Sequence, residues 1–136
     1  MTRRTYRGGC HCGAIRFEAD VDLAEGTVKC NCSICTRLRT WSVTAAPQAF
    51  RLLAGEATLV DYVGRDPVAH HFFCRTCGAH PFERVDMPNM SGAPYLNVSV
   101  LCLEGIDFDE LAAAPVTFVD GLHDAWERRP ADVRHL

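Results

Sequence analysis

Long apolar runs are missing from this sequence, and so is the pattern of a secretion signal. The longest apolar stretch lies around residues 98–103, whereas a transmembrane helix needs about 20 apolar residues. At the amino terminus, the basic residues 3–7 lead directly into Gly8 and Gly9 without an apolar core. We therefore expect a soluble, cytoplasmic protein with no membrane partner.

An excess of positive charge is also missing. The formal net charge is -3, so the chain offers no electrostatic reason to expect nucleic acid. We find no internal repeat, low-complexity tract or linker that would divide the chain. A chain of 136 residues, 48% of them hydrophobic, is long enough to bury a core. We expect residues 1–136 to form one domain with a small or neutral partner.

Helical periodicity is scarce, and short strands dominate. Ile15 and Phe17 alternate with polar residues, so they should face a core from a half-buried strand. Gly55, Gly64, Pro67, Pro88 and Gly92 separate such runs, which indicates a mainly β, antiparallel domain with little helix. The predicted strands cover residues 14–20, 27–30, 41–45, 50–53, 58–63, 69–74, 95–101 and 116–119, and the predicted helical turns cover residues 33–38 and 107–113.

Cysteine, in contrast, is abundant. In a reducing cytoplasm, eight cysteines in C-x-C and C-x-x-C clusters favour metal ligands over a disulfide framework. Cys10 and Cys12 form one pair and Cys74 and Cys77 another, and each pair ends in Cys-Gly. The glycine suits a turn over zinc, which often needs a positive φ. We predict that these four thiolates form a closed structural zinc site that joins the amino-terminal hairpin to the middle of the sheet.

The remaining cluster is the triad Cys30, Cys32 and Cys35. Three thiolates hold zinc at about 2.3 Å and leave the fourth tetrahedral position for water or substrate, as in catalytic zinc sites. We expect Lys29, Arg37 and Arg39 to offset the negative charge of such a site. The alternative is a second structural zinc, closed by His70, His71, His80, His123 or Cys102. Of the histidines, His80 and His123 are the better candidates for lining a pocket.

These motifs have a known counterpart. The ordered segments Gly9-Cys10-His11-Cys12-Gly13, Cys30-Asn31-Cys32-Ser33-Ile34-Cys35 and Phe73-Cys74-Arg75-Thr76-Cys77-Gly78, with Asn97-Val98, Cys102-Leu103 and Asp120-Gly121, resemble the glutathione-dependent formaldehyde-activating enzyme family, which also includes centromere protein V. The resemblance implies a β-tent fold of small antiparallel sheets, two zinc ions, and carbon-sulfur lyase chemistry on formaldehyde and glutathione. It places the structural zinc on Cys10, Cys12, Cys74 and Cys77 and the catalytic zinc on Cys30, Cys32 and Cys35.

Two hypotheses of function follow. The first is a zinc-dependent carbon-sulfur lyase that acts on the adduct of a small-molecule thiol and an aldehyde, S-hydroxymethylglutathione being the first candidate. Arg37, Arg39 and Arg65 are the candidate partners for the carboxylates of such a thiol. The second is a non-catalytic binding module in which both zinc ions are structural and the surface recognises a protein.

Overall fold

The computed structural model describes residues 3–87 and 93–136. Pro88 and Gly92, two of the predicted strand separators, lie outside these residues. The described chain forms ten strands and two α-helices, so the predicted mainly β fold is confirmed. The strands are β1 (Arg4–Gly9), β2 (Arg16–Val21), β3 (Thr27–Cys30), β4 (Ser42–Ala45), β5 (Phe50–Ala54), β6 (Leu59–Val63), β7 (Ala69–Cys74), β8 (Phe82–Val85), β9 (Tyr95–Ser99) and β10 (Val116–Val119).

The helices are α1 (Ser33–Leu38) and α2 (Phe108–Ala113), both close to the predicted turns. Each begins where a side chain can accept hydrogen bonds from the first free backbone N–H groups. Asp107 does so for α2, and the Cys32 sulfur does so for α1. Within the described part of the chain, neither helix has the length or the apolar character needed to span a membrane.

The strands form two sheets. The small sheet has the order β1-β2-β5, and the larger one has the order β10-β3-β4-β9-β8-β7-β6. The larger sheet is mixed, because β10 runs parallel to β3, with Val119 opposite Cys30. The sequence predicted antiparallel pairing only. A parallel pair needs a long crossover connection, and the whole chain between β3 and β10 supplies it.

All eight predicted strands are present, with ends that differ by two residues or fewer. Two strands, β1 and β8, were missed because charged residues or glycines interrupt their apolar pattern. In β1 these are Arg4, Arg7, Gly8 and Gly9. β1 nevertheless pairs along its whole length with β2 in a hairpin.

The core lies between the two sheets. Ile15 and Phe17 are fully buried, as the alternating pattern predicted. The Phe17 ring stacks on Phe50 of the small sheet at a centroid distance of 5.2 Å, and it meets Phe82 of the larger sheet at 5.9 Å. We call the side of the larger sheet that faces this core the inner face, and the opposite side the outer face. The buried side chains of the inner face include Val43, Ala45, Phe82, Leu96 and Val98.

Strand register places a row of polar side chains on the outer face. Asn97 of β9 lies between two residues that are buried in the core, so its own side chain points the other way. Glu83 of β8 is its partner in register, and His71 of β7 is in turn the partner of Glu83. On the other side, Asn97 lies opposite Thr44 of β4. We call His71, Glu83, Asn97 and Thr44 the polar row.

Candidate functional site

Four cysteines from two distant segments meet in one cluster. Cys10 and Cys12 follow β1, whereas Cys74 ends β7 and Cys77 follows it. The four sulfur atoms lie within 4.8 Å of one another. Because β7 is next to the edge strand β6, the cluster joins the amino-terminal hairpin to the larger sheet near its edge. The predicted connection to the middle of the sheet is therefore wrong in position.

The dimensions of this four-cysteine cluster fit a zinc ion. The Cys12 Sγ lies 3.7 Å from the Cys10 Sγ and 3.6 Å from the Cys74 Sγ. Sulfurs at the corners of a tetrahedron with zinc–sulfur bonds of about 2.3 Å are separated by about 3.8 Å. The backbone N–H groups of Ile15 and Cys77 donate to the sulfurs of Cys10 and Cys74 at 3.2 and 3.4 Å. Such donors stabilise the thiolate form that a metal requires.

The glycine that follows each of these pairs has a positive φ, as predicted. The φ of Gly13 is 83° and that of Gly78 is 77°, a region that side chains with a Cβ rarely occupy. The N–H groups of Gly13 and Gly78 donate to the carbonyl oxygens of Cys10 and Cys74 at 3.3 and 2.8 Å. The glycine therefore closes each turn onto the first cysteine of its pair, although the second turn is one residue longer than the first.

The other three cysteines form a second cluster where β3 meets α1. Cys30 ends β3, Cys32 precedes α1, and Cys35 lies in the first turn of the helix. Their sulfurs also lie within 4.8 Å of one another. The N–H of Cys32 donates to the Cys30 sulfur at 3.3 Å, and the N–H of Cys35 donates to the Cys32 sulfur at 3.4 Å. Cys30 and Cys35 are buried, whereas Cys32 is partly exposed, so Cys32 is the triad sulfur most accessible to a ligand.

Hydrogen bonds within the triad distribute its charge unevenly. Those from Cys30 and then Cys35 hold the pKa of Cys32 far below its usual value. The hydrogen bond with Cys32 raises the pKa of Cys30, and bonds with Cys30 and Cys32 raise the pKa of Cys35. These hydrogen bonds favour the thiolate form at Cys32 over the other two sulfurs. A metal ion bound to all three sulfurs would displace the protons that remain on them.

Within residues 3–87 and 93–136, the triad has no fourth His, Cys, Asp or Glu ligand atom within 4.8 Å of its sulfurs. His70, for example, contacts Asp61 and Asp86 instead, at 2.7 and 2.9 Å. The residues that we considered as closing ligands are His70, His71, His80, His123 and Cys102, and none of them belongs to the cluster. Three sulfurs suit zinc with a ligand from outside the chain.

A buried carboxylate holds the triad segment against the end of β10. Asp120 is only 2% exposed, and it accepts hydrogen bonds from Asn31 at 2.9 Å and Arg128 at 2.7 Å. The bonds from Arg128 and Asn31 hold the pKa of Asp120 well below its usual range. Asn31 lies in the centre of the Cys-Asn-Cys segment, and its Oδ1 accepts a bond from the N–H of Leu122 at 2.9 Å. The backbone after β10 is thereby fixed next to the triad.

A pocket of about 70 Å³ lies on the outer face, and Leu38, the last residue of the helix that contains Cys35, is part of its lining. Residues 38–42, which connect α1 to β4, form one wall, and side chains of β7, β8 and β9 form another. Trp41 is held in this wall because its Nε1 donates to the Thr27 Oγ1 at 2.9 Å and the Lys29 ammonium lies 4.7 Å from its ring centroid. Besides the hydrogen bond to Glu83, a smaller contribution from Cys32 raises the pKa of His71 in the pocket.

The polar row is hydrogen-bonded from one end to the other. Thr44 donates to the Asn97 Oδ1 at 3.1 Å, and the Asn97 Nδ2 donates to the Glu83 Oε1 at 2.6 Å. The other carboxylate oxygen of Glu83 lies 2.8 Å from the His71 Nδ1. The bond to Glu83 raises the pKa of His71, with smaller contributions from the charges of Glu83 and Cys32. Burial, followed by the charge of His71, lowers the pKa of His80 across the same pocket.

The pocket contains some of the residues singled out from the sequence and not others. His80 and Arg39 line it. His123 does not, because its Nδ1 contacts Asp120 at 2.9 Å and its side chain is largely exposed. Arg37 donates to the carbonyl of Ser33 at 2.7 Å within α1. Arg65 is exposed in the connection between β6 and β7.

Two residues of the pocket were missed as functional candidates, Glu83 and Asn97. Asn97 stands out in retrospect as a polar residue between two apolar residues of a strand, Leu96 and Val98. Glu83 offers no comparable signal, because its strand was not predicted.

Comparisons with known proteins identify a family and a similar solved structure. The model of the glutathione-dependent formaldehyde-activating enzyme family matches residues 5–115 of the chain. A crystal structure of a Rhodobacter sphaeroides protein is similar to it, with a TM-score of 0.68 and 31% sequence identity. The similarity covers 82% of this chain and 99% of that chain. The family match includes all seven clustered cysteines, whereas β10 and Asp120 lie beyond it.

Proposed function

We propose, because the chain belongs to the glutathione-dependent formaldehyde-activating enzyme family, that it is a zinc-dependent carbon-sulfur lyase. Its substrate would be the adduct of a thiol and a small aldehyde, with S-hydroxymethylglutathione as the first candidate. The observation that carries the proposal is a three-sulfur triad without a fourth protein ligand among the described residues, at the start of a helix whose last residue, Leu38, lines a pocket with paired acid-base side chains.

The two cysteine clusters would have different roles. Cys10, Cys12, Cys74 and Cys77 would bind a structural zinc ion, since four sulfurs complete a tetrahedron. Cys30, Cys32 and Cys35 would hold the catalytic zinc ion. When bound there, zinc supplies a Lewis acid that favours the thiolate form of a substrate thiol or polarises an aldehyde oxygen.

The size of the pocket limits how much of the substrate enters it. A volume of about 70 Å³ is far below the roughly 300–1,000 Å³ of sites that enclose a drug-sized ligand. We expect only the reacting end of the adduct, its sulfur and hydroxymethyl group, to lie between Trp41 and His71. The rest of a glutathione molecule would extend over the surface, where Arg39 offers a cation at the rim. A smaller thiol would satisfy the same site.

We also propose that the protein works in the cytoplasm. A reducing cytoplasm keeps clustered cysteines available for metal and maintains free thiols as substrates. We further propose that residues 1–136 act as one domain, because the four-cysteine cluster connects the two sheets.

Two measurements test the function together. We expect protein purified without chelator to contain two zinc ions per chain by elemental analysis. NMR should show faster exchange of formaldehyde with glutathione in the presence of wild-type protein than in a blank without protein. The Cys32→Ser variant should contain one zinc ion and exchange at the rate of the blank. Cys102→Ser is the matched control, because Cys102 belongs to neither cluster, and it should behave as wild type.

The contrary result is equally clear. If wild type, Cys32→Ser and the blank give equal exchange rates with glutathione and with 2-mercaptoethanol, the lyase proposal is wrong. The second hypothesis, a zinc-stabilised module that binds a protein, would then remain.

A further inference from the structure

We infer that His71 is the catalytic residue that carries the proton between the substrate thiol and the hydroxymethyl oxygen, and that the rest of the polar row positions it. This inference rests on the proposed function, and it names the acid-base group of that site. Its basis is the register of four strands, which brings His71, Glu83, Asn97 and Thr44 together on one face.

The polar row orients the His71 ring. The Glu83 carboxylate can only accept hydrogen bonds when ionised, so the proton between the two residues lies on the His71 Nδ1. The Nε2 is thereby left as the nitrogen that can exchange a proton with a substrate. Glu83 is itself held, because the amide of Asn97 donates to its second oxygen and Thr44 donates to Asn97. Each hydrogen bond in the polar row thus restricts the orientation of the next side chain, from Thr44 to His71.

His71 also lies where it can contact a substrate, because its side chain lines the pocket. Its side chain is only 10% exposed, and it lines the pocket together with Trp41 and His80. The Nδ1 of His80 is buried without a hydrogen-bond partner among the described residues, and burial lowers the pKa of His80. Among the described residues no carboxylate contacts the His80 ring as Glu83 contacts that of His71, so His71 is the oriented imidazole of the pair.

The proton balance of the reaction closes on one histidine. In cleavage, the hydroxyl proton of the adduct moves to the His71 Nε2, the oxygen forms a carbonyl bond to carbon, and the carbon-sulfur bond breaks with its electron pair on sulfur. The proton then moves from Nε2 to the thiolate. The products are one thiol and one aldehyde, and His71 returns to its starting form. Addition follows the same steps in reverse, and neither direction needs an oxidant or a further reactant.

The test compares two neighbouring histidines of β7. His71→Gln should lower the rate of formaldehyde–glutathione exchange at saturation by about 100-fold or more, the usual contribution of general acid-base catalysis, with little change in KM and with zinc content unchanged. His70→Gln is the matched control, because His70 contacts Asp61 and Asp86 and does not line the pocket. It should exchange at the wild-type rate. Added imidazole should restore part of the activity of His71→Ala.

A measurement that does not depend on activity tests the role of Glu83. The ¹⁵N chemical shifts of His71 should show the Nδ1–H tautomer in wild type and a mixture of tautomers in Glu83→Gln.

The outcomes separate this inference from the proposed function. If Cys32→Ser loses exchange while His71→Gln keeps the wild-type rate, the role of His71 is refuted and the lyase stands. If His71→Gln loses zinc as well as activity, His71 acts on the metal site and the inference is wrong. If wild type shows no exchange with any thiol, both proposals fall. A large loss in His71→Gln with full zinc content and imidazole rescue of His71→Ala supports the inference.

Discussion

Gly121 offers the sharpest test of how the carboxyl-terminal segment supports the triad. Its backbone passes so close to Cys30 that an added Cβ would lie 2.8 Å from the Cys30 Sγ, and the same Cβ would lie 2.7 Å from two ring carbons of Trp126. Ordinary contacts of this kind begin at 3.4 Å. The Gly121→Ala variant must therefore displace neighbouring atoms, and the two neighbours differ in how easily they move.

Trp126 is half exposed, so its ring can rotate outward. The Cys30 sulfur is buried and has to stay with the sulfurs of Cys32 and Cys35. Extra methyl groups in packed sites cost about 1–3 kcal/mol. If that strain falls on the metal-binding arrangement, the affinity of the triad for zinc decreases by roughly 5-fold to 150-fold. The four-cysteine cluster should keep its zinc ion.

Competition with a chromophoric chelator measures this effect, since the four-cysteine cluster is an internal reference in every sample. Gly64→Ala is the control, because its Cβ would meet Tyr62 at 3.6 Å, an ordinary contact. The double variant Gly121→Ala/Trp126→Ala removes the contact with the ring and should still bind zinc weakly at the triad. Wild-type affinity in Gly121→Ala, or full recovery in the double variant, would refute the argument that strain reaches Cys30.

The remaining predictions concern folding. Cys74→Ser should yield unfolded or insoluble protein, because the free energy with which the four-cysteine cluster binds metal also stabilises the fold. Cys32→Ser should instead keep the circular dichroism spectrum of wild type. If both variants unfold equally, the proposed division of roles between the two clusters is wrong. Asp120→Asn should lower the free energy of unfolding at pH 7 in urea titrations. Because the pKa of Asp120 is depressed in the folded state, its stabilisation is present above the unfolded pKa of about 3.9 and is lost as the pH falls through the folded value. The decline of stability in acid should therefore be shallower in Asp120→Asn than in wild type, and parallel declines would contradict the role of Asp120.

Local patterns in the sequence were sufficient for the elements that local chemistry determines. The alternation in β2 predicted the burial of Phe17, and the Cys-Gly pairs predicted the positive φ of Gly13 and Gly78. α1 was predictable because the whole helix is a segment of only six residues, Ser33–Leu38. Each of these features depends on side chains that are close together in the chain.

The elements that were missed depend on distant partners. β1 pairs with β2 although Gly8 breaks its pattern, and Gly8 is needed because a Cβ there would lie 2.5 Å from the Phe17 ring. β8 contains Glu83 on the outer face, and its bond to His71 is invisible without the register of β7 and β8. The polar row joins residues 44 to 97 across four strands, so no window of the sequence contains it.

The same contrast between local and distant contacts explains how the two cysteine clusters can differ in role. Cys12 and Cys74 are 62 residues apart, so a metal ion between them closes a long loop and restricts the unfolded chain. The triad closes no such loop. Its segment is held instead by the bond from Asn31 to Asp120, 89 residues away, and by the backbone of Leu122. Because these side-chain and backbone bonds hold the segment from outside the triad, we expect the triad to exchange an outside ligand without loss of the fold, as the proposed lyase requires.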